Sequence, residues 1–374
     1  MTRSVFLFGP FCLPSMQHTL LQDCPQGLPA RLARHRLVEA AVALPALGPC
    51  DDGQVDGLLV GLSENALALL SQFFAIWGAA PVTVCVETDN GPVQAMAHVL
   101  HSAGLADAQD WIVRDIDAAA VLCRATAETL ALARTHPLPA LRARWSMALS
   151  GAASAQRAAS TPNAARLRAP WARDDVEPTD QTRPYAWFFA LEDSNLRFRR
   201  FDGSLSPQIR RAGFVMSDAV TVLPYDPKRD LVMVIEQFRF GPWLRGASNC
   251  WSLEPIAGRI DPFETPETSA LREAREETHL VLQHDQLMRV GAGYPSPGAV
   301  SEYLYHFVAL CDLAEGQSGI AGLNSEDEDI RSHVIPFARL MDLIDKGEVE
   351  NGPLILTAFW LAHNRVRIRR DMAG

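Results

Sequence analysis

One segment limits the possible folds more than any other: residues 258–280, GRIDPFETPETSALREAREETHL. Thr265 followed by Pro266 opens a helix, because a hydroxyl caps the first free N–H groups and proline at the first helical position loses no bond. On that helix Glu273 and Glu277 lie four apart, and Glu276 lies three from Glu273, so the three acids crowd one side. Like charges at this spacing repel, and a helix that serves only the fold gains nothing from them. A bound Mg²⁺ removes the penalty, since hard divalent cations take carboxylate oxygens. Arg272 and Arg275 supply the competing explanation, a solvated face on which acids pair with bases. Charge pattern alone leaves both open.

The rest of the chain sets the context. At 374 residues it exceeds one ordinary core, so two domains are expected. A net charge of −10 argues against a general nucleic-acid or anionic-membrane surface. Seven cysteines, odd in number and never spaced CxxC, fit a reduced cytoplasmic compartment and neither a zinc site nor a disulfide framework. MTRSVFLFGPF is too short in apolar run for a secretory signal. Residues 65–86 carry no charge, but Asn65, Ser71, Gln72, Gly78 and Pro81 point to a buried helix, a turn and a buried strand rather than a membrane span.

Along the first part, strands are expected at Val5–Phe8, Asp56–Gly61 and Val82–Val86. Helices are expected from Ser63 to about Phe74, at Pro92–Ala103 with Gly104 as its stop, and at Ala118–Ala133. Thr129–Arg173 has seven arginines and no acid, diluted by alanine. It reads as a helix and a partly mobile linker, with a polyanion-binding basic arm as the alternative. From Tyr185 strands dominate, at 185–191, 194–201, 219–224, 231–238, 252–257, 289–293 and 302–312, with helices at 266–278 and 353–364. The expected domains are 1–135, a helical Ala/Arg-rich linker over 136–184, and 185–374. His306 and His333 read as strand residues, and Phe359 and Trp360 as core of the last helix. The C-terminal arginines read as a solvated helix end.

The spacing Gly258, five residues, Glu264, seven residues, Arg272-Glu273-Ala274-x-Glu276-Glu277 resembles the Nudix hydrolase signature. One position departs: His279 stands where that family has a glycine, at a helix C-terminus expected to be left-handed, which histidine tolerates better than most residues. The flanks resemble the ADP-ribose pyrophosphatase branch: Glu254-Pro255-Ile256-Ala257 before the box, and Tyr294-Pro295-Ser296-Pro297-Gly298 with Glu302 after it. So do the acidic loop Gly322–Arg331 and Asn351-Gly352-Pro353. The resemblance implies an α/β/α sandwich with a mixed sheet and Mg²⁺-dependent hydrolysis, with Mn²⁺ as the alternative metal. Attack on one phosphorus would split ADP-ribose into AMP and ribose 5-phosphate. It also implies a homodimer.

Carried over by position, Glu273, Glu277, Glu328 and the Ala257 carbonyl would hold the metal, with Glu276 in support. Glu326 would orient or deprotonate the attacking water, with Glu302 as second candidate. Arg211 (or its neighbour Arg210) and Arg239 would grip the diphosphate, because a guanidinium matches phosphate oxygens in a bidentate way. Phe188 would stack on the adenine. The alternatives are a solvated acidic loop for 326–329, ion pairs for the arginines and a core aromatic for Phe188. Two rival functions stand beside this one: hydrolysis of another nucleoside diphosphate sugar, and a non-hydrolytic ADP-ribose sensor.

The first part resembles the γ-glutamylcyclotransferase-like α+β barrel, through Phe8-Gly9-Pro10-Phe11 after the first strand and the 63–74 helix. Pro10 removes a backbone donor from that loop, and Leu70-Ser71-Gln72-Phe73-Phe74 puts phenylalanine where that family has its glutamate. The resemblance therefore implies the fold without that chemistry. The order of the two parts resembles tellurite-resistance-type Nudix proteins.

Overall fold

The computed structural model describes residues 2–41, 43–100, 116–162, 166–313, 319–322 and 328–372. The chain divides into two units, Met1–Ala212 and Gly213–Gly374.

The first unit is built on a closed barrel. Strand β1 (Arg3–Phe8) runs into a 3-10 turn and helix α1 (Pro14–Leu21), followed by the long strands β2 (Leu28–Ala41) and β3 (Leu44–Leu62). Ser63 caps α2 (Glu64–Ile76), accepting the Ala66 N–H at 3.2 Å. Gly78, at φ +78°, turns the chain into β4 (Ala79–Thr88), which pairs antiparallel with β5 (Gly91–Leu100). The barrel closes in the order β1-β3-β2-β4-β5, with a further β3–β5 pairing. The uncharged 65–86 stretch is a helix, a turn and a strand, but the strand is not buried as expected: Pro81, Val82, Thr83 and Cys85 are exposed on the barrel wall. The helix expected over Pro92–Ala103 is instead strand β5, and Gly104 lies outside the described residues. Ala, Met, Gln and Leu favour a helix locally, but pairing along the whole of β4 overrides that weak preference.

Two helices follow, α3 (Ile116–Leu132) and α4 (Leu138–Ser160). The Ala/Arg-rich α4 buries Leu141, Trp145 and Leu149. Its buried Arg144 donates to Glu128 of α3 at 2.9 Å and to the Trp187 carbonyl at 2.6 Å. Strands β6 (Val176–Ala186) and β7 (Ala190–Phe198) form a hairpin whose turn is Trp187-Phe188-Phe189, inside the run expected to be a strand. With β8 (Ile209–Val215) they make a three-stranded sheet.

The second unit is a mixed sheet between helices. Its strands are β9 (Ala219–Asp226), β10 (Leu231–Phe238), β11 (Trp251–Glu254), β12 (Ile256–Arg259), β13 (Leu287–Gly293), β14 (Leu304–Leu310), β15 (Ile320–Ala321) and β16 (Ile330–Pro336). The order is β13-β14-β9-β10-β16-β15, with β11 on β10 and β12 on β9. Among the described residues of this sheet, β14–β9 is the parallel pairing and the others are antiparallel. Pro255, which has no N–H to give, separates β11 from β12, so the single strand expected over 252–257 is two strands with different neighbours.

Alternation along the strands feeds two cores. Val220, Val222, Met233 and Ile235 point to one side, against Ala270 and Ala274 of α6 (Pro266–Thr278). Tyr225, Val232 and Val234 point to the other, against Phe337 and Leu340 of α7 (Phe337–Asp345) and Leu354, Ala358 and Leu361 of α8 (Gly352–Asp371). A short helix, Phe240–Arg245, follows β10. On α8, Trp360 packs against the core, but Phe359 is exposed, because its position faces away from the sheet. Arg365 and Arg369 do not merely meet solvent: both pair with Asp230.

Candidate active site

Helix α6 starts as its sequence dictates. Thr265 accepts the Thr268 N–H at 3.1 Å and Pro266 occupies the first turn. It ends at His279, which takes the left-handed conformation, φ 59° and ψ 15°, expected at the position of the missing glycine. Between these ends Ala270 and Ala274 let the helix lie close to β12 and β9. Glu273 and Glu277 follow on the adjoining face.

Glu277 is 2% exposed, and its Oε2 accepts the Ala257 N–H at 3.1 Å. Glu273 lies over Gly258: a Cβ there would stand 2.0 Å from its Cδ, so only glycine leaves room for the carboxylate. Arg272 ties the acids together. Its Nη1 donates to Glu273 at 2.6 Å and to Glu276 at 3.0 Å. Its Nε faces Glu264 at 3.2 Å and its Nη2 donates to the Arg259 carbonyl at 3.0 Å. Ser269 holds the other side of Glu264, donating at 2.6 Å.

Burial pushes the Glu273 carboxyl up to about 7; Arg272 opposes this, while Glu276 and Glu328 add to it. Burial raises Glu277 well above the carboxylate range as well, against the Ala257 N–H and Arg239, with Glu273 and Glu328 adding. Arg239 grips Glu254 with Nε at 3.0 Å and Nη2 at 2.6 Å. Its guanidinium is pulled down by burial and more than restored by Glu254, with Glu277 and Glu328 contributing. Glu302 is raised by burial, against Arg239 and Arg259, with Asp218 adding.

Glu273, Glu276, Glu277 and Ala257 are thus brought together, and the charges of Glu328 and Arg239 reach them. Glu326 lies outside the described residues. Arg210, Arg211 and Phe188 belong to the first unit: Arg210 pairs with Asp193, Arg211 Nη1 donates to the Arg210 carbonyl at 3.0 Å, and Phe188 is exposed at the hairpin turn. Glu254 was not foreseen as the partner of Arg239, nor was the hub geometry of Arg272. Both partners stand in the quoted flanks, but only strand register shows that they meet.

Among the described residues no three His, Cys, Asp or Glu side chains are grouped to hold a metal as they stand, and Glu273 and Glu276 share Arg272 instead. The donor set still fits a hard divalent cation. It is all oxygen, two of its carboxylates are held out of water at a cost, and glycine makes the space for one of them.

The second unit is thus a mixed sheet with a flanking helix that presents buried carboxylates above a glycine. A family model described as NUDIX domain matches residues 216–357, and the chain belongs to this family. It is 34% identical over 201 residues to an ADP-ribose pyrophosphatase of Escherichia coli (strain K12), covering 54% of this chain and 94% of the relative. To an ADP-ribose pyrophosphatase of Haemophilus influenzae it is 31% identical over 203 residues, 54% of this chain and 92% of the relative. To a GDP-mannose pyrophosphatase of Escherichia coli O9:H4 it is 30% identical over 174 residues, 46% of this chain and 88% of the relative. The chain is a Nudix hydrolase related to ADP-ribose pyrophosphatases.

Proposed function

We propose that the protein hydrolyses the diphosphate of ADP-ribose, with Mg²⁺, to AMP and ribose 5-phosphate. The observation that carries this is the pair Glu273–Glu277: Glu273 lies over Gly258, and Glu277 is buried against the Ala257 N–H. In this reading Glu273, Glu277, Glu328 and the Ala257 carbonyl hold the ion, and Glu276 supports them. When bound, the ion neutralises the diphosphate and lowers the pKa of water. Arg272 keeps the acids aligned through Glu264, Glu273 and Glu276. Glu326, or Glu302, whose carboxyl is raised by burial, takes the proton of the attacking water. Arg239 holds the diphosphate.

The GDP-mannose pyrophosphatase relative supports a second reading, in which another nucleoside diphosphate sugar is preferred. Turnover of the full chain on a panel of ADP-ribose, GDP-mannose and related nucleotide sugars, with Mg²⁺ or Mn²⁺, separates the two. A highest kcat/KM on GDP-mannose would overturn the first.

We also propose that the first unit is a γ-glutamylcyclotransferase-like barrel without that activity. Phe74, at the position of that family's acid, stacks on the buried His98 at 4.7 Å, so the place is filled by an aromatic pair. A cavity of about 880 Å³ beside Gly9 and Cys12 remains in this unit. A cytoplasmic homodimer completes the proposal. The compartment rests on the seven free cysteines, and the dimer on the resemblance of the sequence to the ADP-ribose pyrophosphatase branch.

A further inference from the structure

Strand β15 is only two residues long, Ile320 pairing with Arg331 and Ala321 with Ile330. Gly322 follows at φ +112°, a conformation that L side chains rarely adopt. A Cβ on Gly322 would stand 2.9 Å from the Glu328 Cβ, 2.9 Å from its carbonyl oxygen and 3.2 Å from its carbonyl carbon. Two of these neighbours are backbone atoms, which cannot swing aside as a side-chain tip can. A Cβ on Gly319, at the other end of the same short strand, would meet nothing within 4 Å.

Glu328 is the residue whose charge adds to the upward push on both Glu273 and Glu277 and acts on Arg239. Gly258 offers a parallel: a missing side chain makes room for Glu273.

We propose that Gly322 is a positioning residue for hydrolysis: its bare Cα lets the chain close against Glu328 and fixes that carboxylate toward the Glu273–Glu277 pair. The inference rests on the hydrolase reading above, in which Glu328 is a metal ligand. Gly322 touches neither metal nor substrate in this account; it acts through the place it gives Glu328.

The test is a double-mutant cycle on the full chain, Gly322→Ala with Glu328→Gln, assayed on ADP-ribose across a Mg²⁺ titration. Gly322→Ala is expected to lower kcat on the order of a hundredfold, the usual cost of an ångström-scale misplacement. It should also raise the Mg²⁺ concentration for half-maximal activity and leave KM within a few-fold. In the Glu328→Gln background the same substitution should change kcat little, because the carboxylate it misplaces is gone. Gly319→Ala should match wild type. If Gly322→Ala fails to fold, a glycine inserted between Ala321 and Gly322 opens the close approach without adding a side chain, and the same pattern is expected. Unchanged kcat and Mg²⁺ dependence, or losses that simply multiply in the double mutant, would overturn the role of Gly322. A Glu328→Gln enzyme with wild-type turnover would instead sink the assignment of Glu328, and this inference with it.

Discussion

Helix α6 of the second unit buries Glu277 and most of Glu273, whereas helix α2 of the first buries Phe73 and Phe74. Both helices are capped by a hydroxyl and both pack on strands. In the barrel the buried face is filled: Phe11 and Phe74 lie 4.9 Å apart, and the His98 ring stacks on Phe74 and bonds to Ser71 at 3.0 Å. In the hydrolase unit the corresponding face keeps acids out of water, with one guanidinium, Arg272, shared among three of them. Aromatic burial stabilises a fold. Buried like charges destabilise it unless a cation arrives, so their presence marks chemistry rather than packing.

The largest expected effects separate the units by kind. Glu277→Gln should lower kcat for Mg²⁺-dependent hydrolysis about a thousandfold, the several kcal/mol that metal-assisted charge stabilisation supplies. It should leave nucleotide affinity within a few-fold by calorimetry. Metal-free stability should hold or rise, since a buried acid has been neutralised. Phe74→Ala should do the reverse: a loss of about 3–5 kcal/mol in the barrel by denaturant melts, with the Mg²⁺ dependence of hydrolysis unchanged. Loss of metal-dependent turnover in Phe74→Ala would break the comparison.

Next in size is a pH response of opposite sign in the two units. Glu273 is raised to about 7, so without metal the folded state holds a proton that the unfolded state releases from about 4.5 upward. Its contribution is fully present below about 4.5 and is lost as pH rises through about 7, on the order of 3 kcal/mol. His98 is lowered by burial to about 4, from 6.5. Its contribution is present above 6.5 and is lost as pH falls through about 4, again roughly 3 kcal/mol. Hydrogen exchange followed by unit should show the hydrolase unit loosening from pH 5 to 8 and the barrel loosening from pH 7 to 4. Mg²⁺ should protect the hydrolase unit more at pH 8 than at pH 5. His98→Asn should flatten the barrel's acid response only.

The smallest expected effect is at His279. Its left-handed backbone suits glycine, so His279→Gly should raise stability by up to about 1 kcal/mol without changing kcat.

How much was legible in the sequence follows the range of the interactions. The cap at Thr265 and the side-by-side acids of α6 are local, and the residues alone disclose them; the left-handed turn at His279 is implied by the resemblance, which places glycine there. Strand β5 was misread because its helix-favouring residues are overruled by pairing with β4. Arg239 and Glu254 are fifteen positions apart, and they meet because β10 and β11 pair with Phe238 opposite Trp251. The closeness of Gly258 to Glu273 and of Gly322 to Glu328 likewise depends on how strands and loops come to rest, which no spacing states. Helices α1 and α7 and strands β2, β8 and β16 are not read from the sequence.

The central claim is that the Glu273–Glu277 pair serves a divalent cation at a phosphoanhydride. It is tested most directly by ³¹P NMR of ADP-ribose incubated with the full chain, with and without Mg²⁺, beside the Glu277→Gln variant. The account predicts that the diphosphate signals give way to the two phosphomonoester signals of AMP and ribose 5-phosphate only with Mg²⁺ and only for the unsubstituted chain. Equal conversion by Glu277→Gln, or an intact diphosphate in the presence of wild type and Mg²⁺, would contradict it.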